Sequence, residues 1–114
     1  MPQDYSTWEG RRALTDNPAT TPEAFLRAGR GLLEQGHLVE AVEFLARAGD
    51  EEGLKAVQAR AVAEGHFFVY QGAASRLPEG RLNRAEIQEL MENAEKAGLD
   101  LYAAQARSFL EKKL

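Results

Sequence analysis

A chain of 114 residues suffices for one compact domain, and 44% hydrophobic against 28% charged residues excludes intrinsic disorder as the default. Its net charge of −4 argues against general nucleic-acid binding, which needs a basic surface to displace counterions from phosphates. The lack of cysteine excludes disulfides, thiol nucleophiles and zinc sites built on thiolates.

Residues 1–19 are the least regular, because Pro2, Gly10, Asn17 and Pro18 interrupt any helical period. Ser6 with Glu9 has the spacing of a capping box and predicts one short helix stopping near Leu14. Trp8 is expected to cover an edge of the core, as large aromatics do. "MPQDYSTWEGRR" lacks the apolar centre of a secretory leader, and no stretch approaches the ~20 apolar residues of a membrane span. A cytoplasmic location without membrane contact is the expectation.

One helical domain is predicted over residues 20–114. Thr20 with Glu23 forms a capping box, and Pro22 occupies a first-turn position, so a helix is predicted from Pro22 to Gln35 with Phe25, Ala28 and Leu32 on its buried stripe. Gly36 ends it. Leu38, Ala41, Val42, Leu45 and Ala48 form the stripe of the next helix, closed by Gly49, and Asp50 caps a third lined by Leu54, Val57 and Ala61 and ended by Gly65. "HFFVYQGAASRL" contains strand-prone residues in a row, yet no other segment offers a pairing strand, so helix is predicted here too. "LPEGRLN" is a loop, with Asn83 capping the following helix through a box with Glu86. Ile87, Leu90, Met91, Ala94 and Ala97 line that helix. After Gly98, the residues Leu99, Tyr102, Ala103, Ala106, Phe109 and Leu110 line the last one.

Gly36, Gly65 and Gly98 lie 29 and 33 residues apart, each followed by an amphipathic helix. The unit is a helical hairpin, which cannot bury its apolar face alone and must stack on a neighbour. Residues 22–50, "PEAFLRAGRGLLEQGHLVEAVEFLARAGD", resemble a tetratricopeptide repeat, a helix-turn-helix unit of about 34 residues. Phe25, Gly29 and Leu32 match the large, small and bulky positions of its first helix, Gly36 the turn, and Ala41, Leu45 and Ala48 the small, large, small series of its second. Gln58 and Met91 stand where the family has a small residue in the first helix, Tyr70 where it has one in the second, and the closing proline is absent. The resemblance is therefore one fair unit and two degenerate ones. It implies an all-α fold, a right-handed superhelix of about three antiparallel helix pairs forming an α-α solenoid.

No chemistry-bearing motif stands out. His37 and His66 both follow a turn glycine, but two imidazoles lack the further ligands zinc requires, so a solvated or capping role is expected and no metal or other cofactor. Asp50, Glu51 and Glu52, and Glu86, Glu89, Glu92 and Glu95, read as solvated faces or first turns favoured by the helix dipole. Ser6, Ser75 and Ser108 lack a nucleophile motif. The expectation is a protein without enzymatic activity.

The resemblance also implies that the first helices of the units line a concave groove for a segment of a partner protein or peptide. Carried over, that groove displays Glu23, Leu26, Arg30, Leu33 and Glu34, then Lys55, Ala59 and Val62, then Gln88, Glu92 and Glu95. The basic and asparagine set by which some members clamp a C-terminal carboxylate is not recognisable. A small chaperone for a secretion or assembly client is one alternative. Another is a structural subunit forming a homo-oligomer through Trp8, residues 67–70 or the last helix.

Overall fold

A computed structural model describes residues 10–12, 15 and 20–112, and among them all regular structure is helical. No helix of these residues is long and apolar enough to cross a membrane. The chain divides into two compact units, Met1–Leu54 and Lys55–Leu114.

In the first unit, residues 10–12 and 15 are helical, and Thr15 Oγ1 donates to the carbonyl of Arg11 at 3.1 Å. The expected opening of this helix at Ser6 and Glu9, and Trp8 with it, lie outside the described residues. Helix α1 (Pro22–Glu34) begins at the expected residue but with a different cap. Thr21, not Thr20, is its N-cap, accepting from the Ala24 amide at 3.2 Å, because Pro22 at the first helical position places the extended residue immediately before it. Helix α2 is Leu38–Arg47.

Ala28, Gly29 and Leu32 of α1 are buried, as are Leu38, Ala41, Phe44 and Leu45 of α2. Burial of each leucine or phenylalanine contributes about 1.5–3 kcal/mol. They approach closely at Gly29, where a Cβ would lie 2.8 Å from Leu45 Cδ2 and 3.1 Å from the Leu45 nitrogen. Hydrogen in place of a side chain is what lets the hairpin close over Leu45. Phe25 packs its ring 5.9 Å from that of Phe44, under the guanidinium of Arg47.

Helix α3 (Glu51–Glu64) crosses the unit boundary. The second unit continues with α4 (Phe67–Ser75), a 3-10 turn at Pro78–Gly80, α5 (Arg84–Lys96) and α6 (Asp100–Lys112). Residues 67–75 are helical, as the lack of a pairing strand requires, and the strand-prone residues are accommodated by burial: Phe67, Val69, Tyr70, Ala73 and Ala74 are all inside. Phe68, Gln71 and Ser75 form its exposed side, so the buried residues keep to one broad face. Phe67 packs against Phe109 of α6 at 6.2 Å. Ile87, Leu90 and Ala94 of α5 and Ala103, Ala106 and Leu110 of α6 complete this core, whereas Met91 is half-buried and Ala97 exposed, so the α5 stripe ends at Ala94.

One motif ends α1, α2, α3 and α5. The amide after the glycine bonds back five residues, His37 to Leu32, Asp50 to Leu45, His66 to Ala61 and Leu99 to Ala94, all at 2.8–2.9 Å. These are Schellman closures, which satisfy orphan carbonyls with a left-handed residue at the turn. At Gly65 the requirement is double. Its φ is +75°, and a Cβ would meet the backbone of Ala94 at 2.5 Å.

Candidate functional site

The second unit contains a cleft of about 330 Å³, lined by Lys55, Gln58, Ala59 and Val62 of α3 together with Arg81, Glu86 and Glu89. Its wall is a hydrogen-bond network centred on Tyr70, whose side chain is wholly buried. The Tyr70 hydroxyl donates to Glu86 Oε1 at 2.7 Å and accepts from the Asn83 amide at 3.1 Å. Arg81 spans both oxygens of Glu86, at 3.1 and 3.2 Å, and donates to Gln58 Oε1 at 2.9 Å. Gln58 is 1% exposed, and its amide nitrogen donates back to the Arg81 carbonyl at 2.9 Å and, more weakly, to that of Tyr70 at 3.5 Å. A buried side-chain amide in apolar surroundings is costly unless satisfied, and here both its ends are.

This network corrects the expected capping box. Asn83 Oδ1 accepts from the Glu86 amide at 3.0 Å, so the forward half forms. The return half does not, since Glu86 spends its carboxylate on Arg81 and Tyr70 and the Asn83 amide goes to the tyrosine hydroxyl. Two charge-assisted bonds from a guanidinium outweigh one bond from a backbone amide.

The electrostatics follow from the same contacts. Burial, then the bond to Glu86, pushes the Tyr70 phenol up to about 12. For Glu86, partial burial acts upwards, but the bonds from Arg81 and Tyr70 and the charge of Arg81 together hold the carboxyl below its ordinary value. The hydrogen bond to Glu86, with its charge, raises Arg81. The network thus keeps a neutral phenol, a carboxylate and a guanidinium, none poised to exchange a proton near neutrality.

Of the residues expected to line a groove, Lys55, Ala59 and Val62 meet at this cleft, with Lys55 and Ala59 exposed and Val62 only 5% exposed. Gln88, Glu92 and Glu95 are exposed outside it. Gln88 donates to Glu92 at 3.2 Å, and Glu95 accepts from Arg107 at 2.6 Å. On α1, Leu26 and Leu33 are half-buried and Glu23 and Glu34 exposed. Arg30 is tied to Asp50 by two bonds, at 2.9 and 3.1 Å, and its pKa is raised by that hydrogen bond and the carboxylate charge. Asp50 also accepts from the Gly53 amide at 3.1 Å, the expected cap of α3.

Gln58, Arg81, Glu86 and Glu89 were not among the expected groove residues. Gln58 and Tyr70 carried a signal, each being a polar or bulky residue where the repeat pattern has a small one. The structure places them in contact with each other. Arg81 sits in the loop and gave none.

A second cleft, about 490 Å³, lies in the first unit between Arg11, Arg12 and Thr15 and the α2 residues Val39, Glu40, Glu43 and Phe44. His37 Nδ1 is 4.0 Å from Glu40, and the His66 ring lies 4.7 Å from that of Tyr102. Among the described residues no group of three or more His, Cys, Asp or Glu side chains could hold a metal ion. Comparison with protein families, curated proteins and solved structures found no match to the chain.

Proposed function

We propose that the chain is a non-enzymatic interaction module of tetratricopeptide-like kind, in which helical hairpins stack as a right-handed superhelix and a cleft receives a segment of a partner protein. The observation that carries this reading is the cleft lined by Lys55, Ala59 and Val62, whose far wall is held by the half-buried Tyr70–Glu86–Arg81–Gln58 network. A cleft whose walls are already hydrogen-bonded loses little conformational freedom when it binds, which favours recognition. The titrating groups of the network are committed to structure, which supports a role without proton transfer. Turns with left-handed glycines at Gly36, Gly65 and Gly98, with Gly29 seated on Leu45, support the repeat reading. A cytoplasmic client-binding or chaperone role is the narrower form of the same proposal.

The test is recovery of a partner from native lysate by the full chain and by Ala59→Arg, which fills the cleft from an exposed position. Loss of the partner from the folded variant is expected. Recovery at full strength from Ala59→Arg would exclude the cleft as the binding site. Self-association is the second reading, favoured by Phe68 at 60% and Leu101 at 68% exposure. Sedimentation over a hundredfold dilution decides it, a monomer throughout ruling against it.

A further inference from the structure

We infer that the cleft of the second unit takes a cationic side chain of the partner, a lysine or arginine whose methylene stem lies on Ala59 and Val62 and whose charge pairs with Glu89. This rests on the reading of the cleft as the binding site and adds the chemistry of its occupant.

Four charged residues line the cleft, two of each sign, so formal charge alone selects nothing. Their commitments do. Arg81 and Glu86 neutralise each other through two bonds. Lys55 already has an interaction of its own. Glu89 is exposed and, among the described residues, has no hydrogen bond or ion pair. The uncommitted charge of the cleft is therefore negative. An anionic occupant would have to approach Glu89 and Glu86 while competing for the Arg81 guanidinium, which already donates to both oxygens of Glu86. A cation meets an open carboxylate and leaves the network intact. The apolar part of the lining, Ala59 and Val62, suits the alkyl stem of a basic side chain, which buries its methylenes while its head stays at the polar rim.

The experiment is a titration of the isotope-labelled full chain, followed by amide NMR, with three probes: N-acetyl-arginine amide, N-acetyl-norleucine amide and N-acetyl-glutamate amide. The arginine probe is expected to shift the Ala59, Val62 and Glu89 amides in a saturable manner that weakens with salt, and to bind more tightly than the other two. Glu89→Gln, a change at an exposed position, should weaken it by up to about fivefold, the upper end for an exposed charge pair. Unchanged binding to Glu89→Gln, equal or tighter binding of the glutamate probe, or no shift at the cleft by the arginine probe would overturn the inference. Partner recovery separates this from the broader reading. A partner lost with Ala59→Arg but held at full strength by Glu89→Gln leaves the cleft standing without its cationic anchor. One held by Ala59→Arg removes both.

Discussion

Gly65→Ala tests the packing of the second unit most severely. Two costs are expected to combine there. A non-glycine residue at φ +75° occupies the left-handed region at about 1–2 kcal/mol. Its Cβ would also stand 2.5 Å from the Cα and the nitrogen of Ala94, backbone atoms of α5 that cannot rotate aside, and relieving such overpacking costs a further ~1–3 kcal/mol. Gly98 supplies the control, with φ +74° but nothing within 4 Å of its Cβ, so Gly98→Ala should cost only the conformational part. Urea unfolding of both variants, followed by far-ultraviolet circular dichroism, should place Gly65→Ala about 1–3 kcal/mol below Gly98→Ala at similar slope. For a protein of this size that is a large fraction of a stability on the order of 5–15 kcal/mol. Equal destabilisation of the two, within about 0.5 kcal/mol, would refute the close approach of Gly65 to Ala94 and with it the seating of α3 on α5.

Tyr70 has a folded-state pKa raised from 10.0 to about 12, so its neutral phenol stabilises the fold fully below pH 10 and that contribution is lost as pH rises towards 12. The unfolding free energy across this window should fall by about 2–3 kcal/mol more in the wild type than in Tyr70→Phe, and parallel profiles would exclude the hydrogen bond of the Tyr70 phenol. Glu86 behaves oppositely: its carboxyl lies below the ordinary value, so its contribution is present above that value and lost as pH falls through the depressed one, and Glu86→Gln should flatten the acid limb of the same titration. In the first unit, Gly29→Ala should cost about 1–3 kcal/mol and Leu45→Ala about 2–5, and the double variant should fall short of their sum by at least ~0.5 kcal/mol, because shortening Leu45 removes the atoms that the new methyl meets. Strict additivity would sink the Gly29–Leu45 contact.

Helix ends were legible because their signals are local. Gly36, Gly49, Gly65 and Gly98 each take positive φ and close a helix within a residue or so of the expected place, and Asp50 and Asn83 cap as their spacing implies. Thr21 displaced Thr20 because two adjacent threonines present the same chemistry and only the backbone geometry before Pro22 separates them. Residues 67–70 were read correctly as helix by elimination, their composition favouring strand.

The cleft was half legible. Lys55, Ala59 and Val62 were implied by the repeat resemblance carried over onto one helix, whereas Arg81, Glu86 and Glu89, which complete the cleft, come from elsewhere in the chain. Gln58 and Tyr70 were visible as departures from a repeat, but two irregularities in a sequence do not announce that they touch. Glu86 was assigned to its own helix by a three-residue spacing and was claimed instead by Arg81 and Tyr70.

The residues by themselves determined where each helix starts and stops and which stripe turns inward, since capping bonds, left-handed glycines and the 3.6-residue period act over one or two turns of chain. Only the folded arrangement decided which polar groups meet across 12 or 23 residues of sequence, at Gln58 with Tyr70 and with Arg81. A buried amide or phenol must find a partner wherever packing brings one within hydrogen-bond reach, and that distance belongs to the tertiary structure.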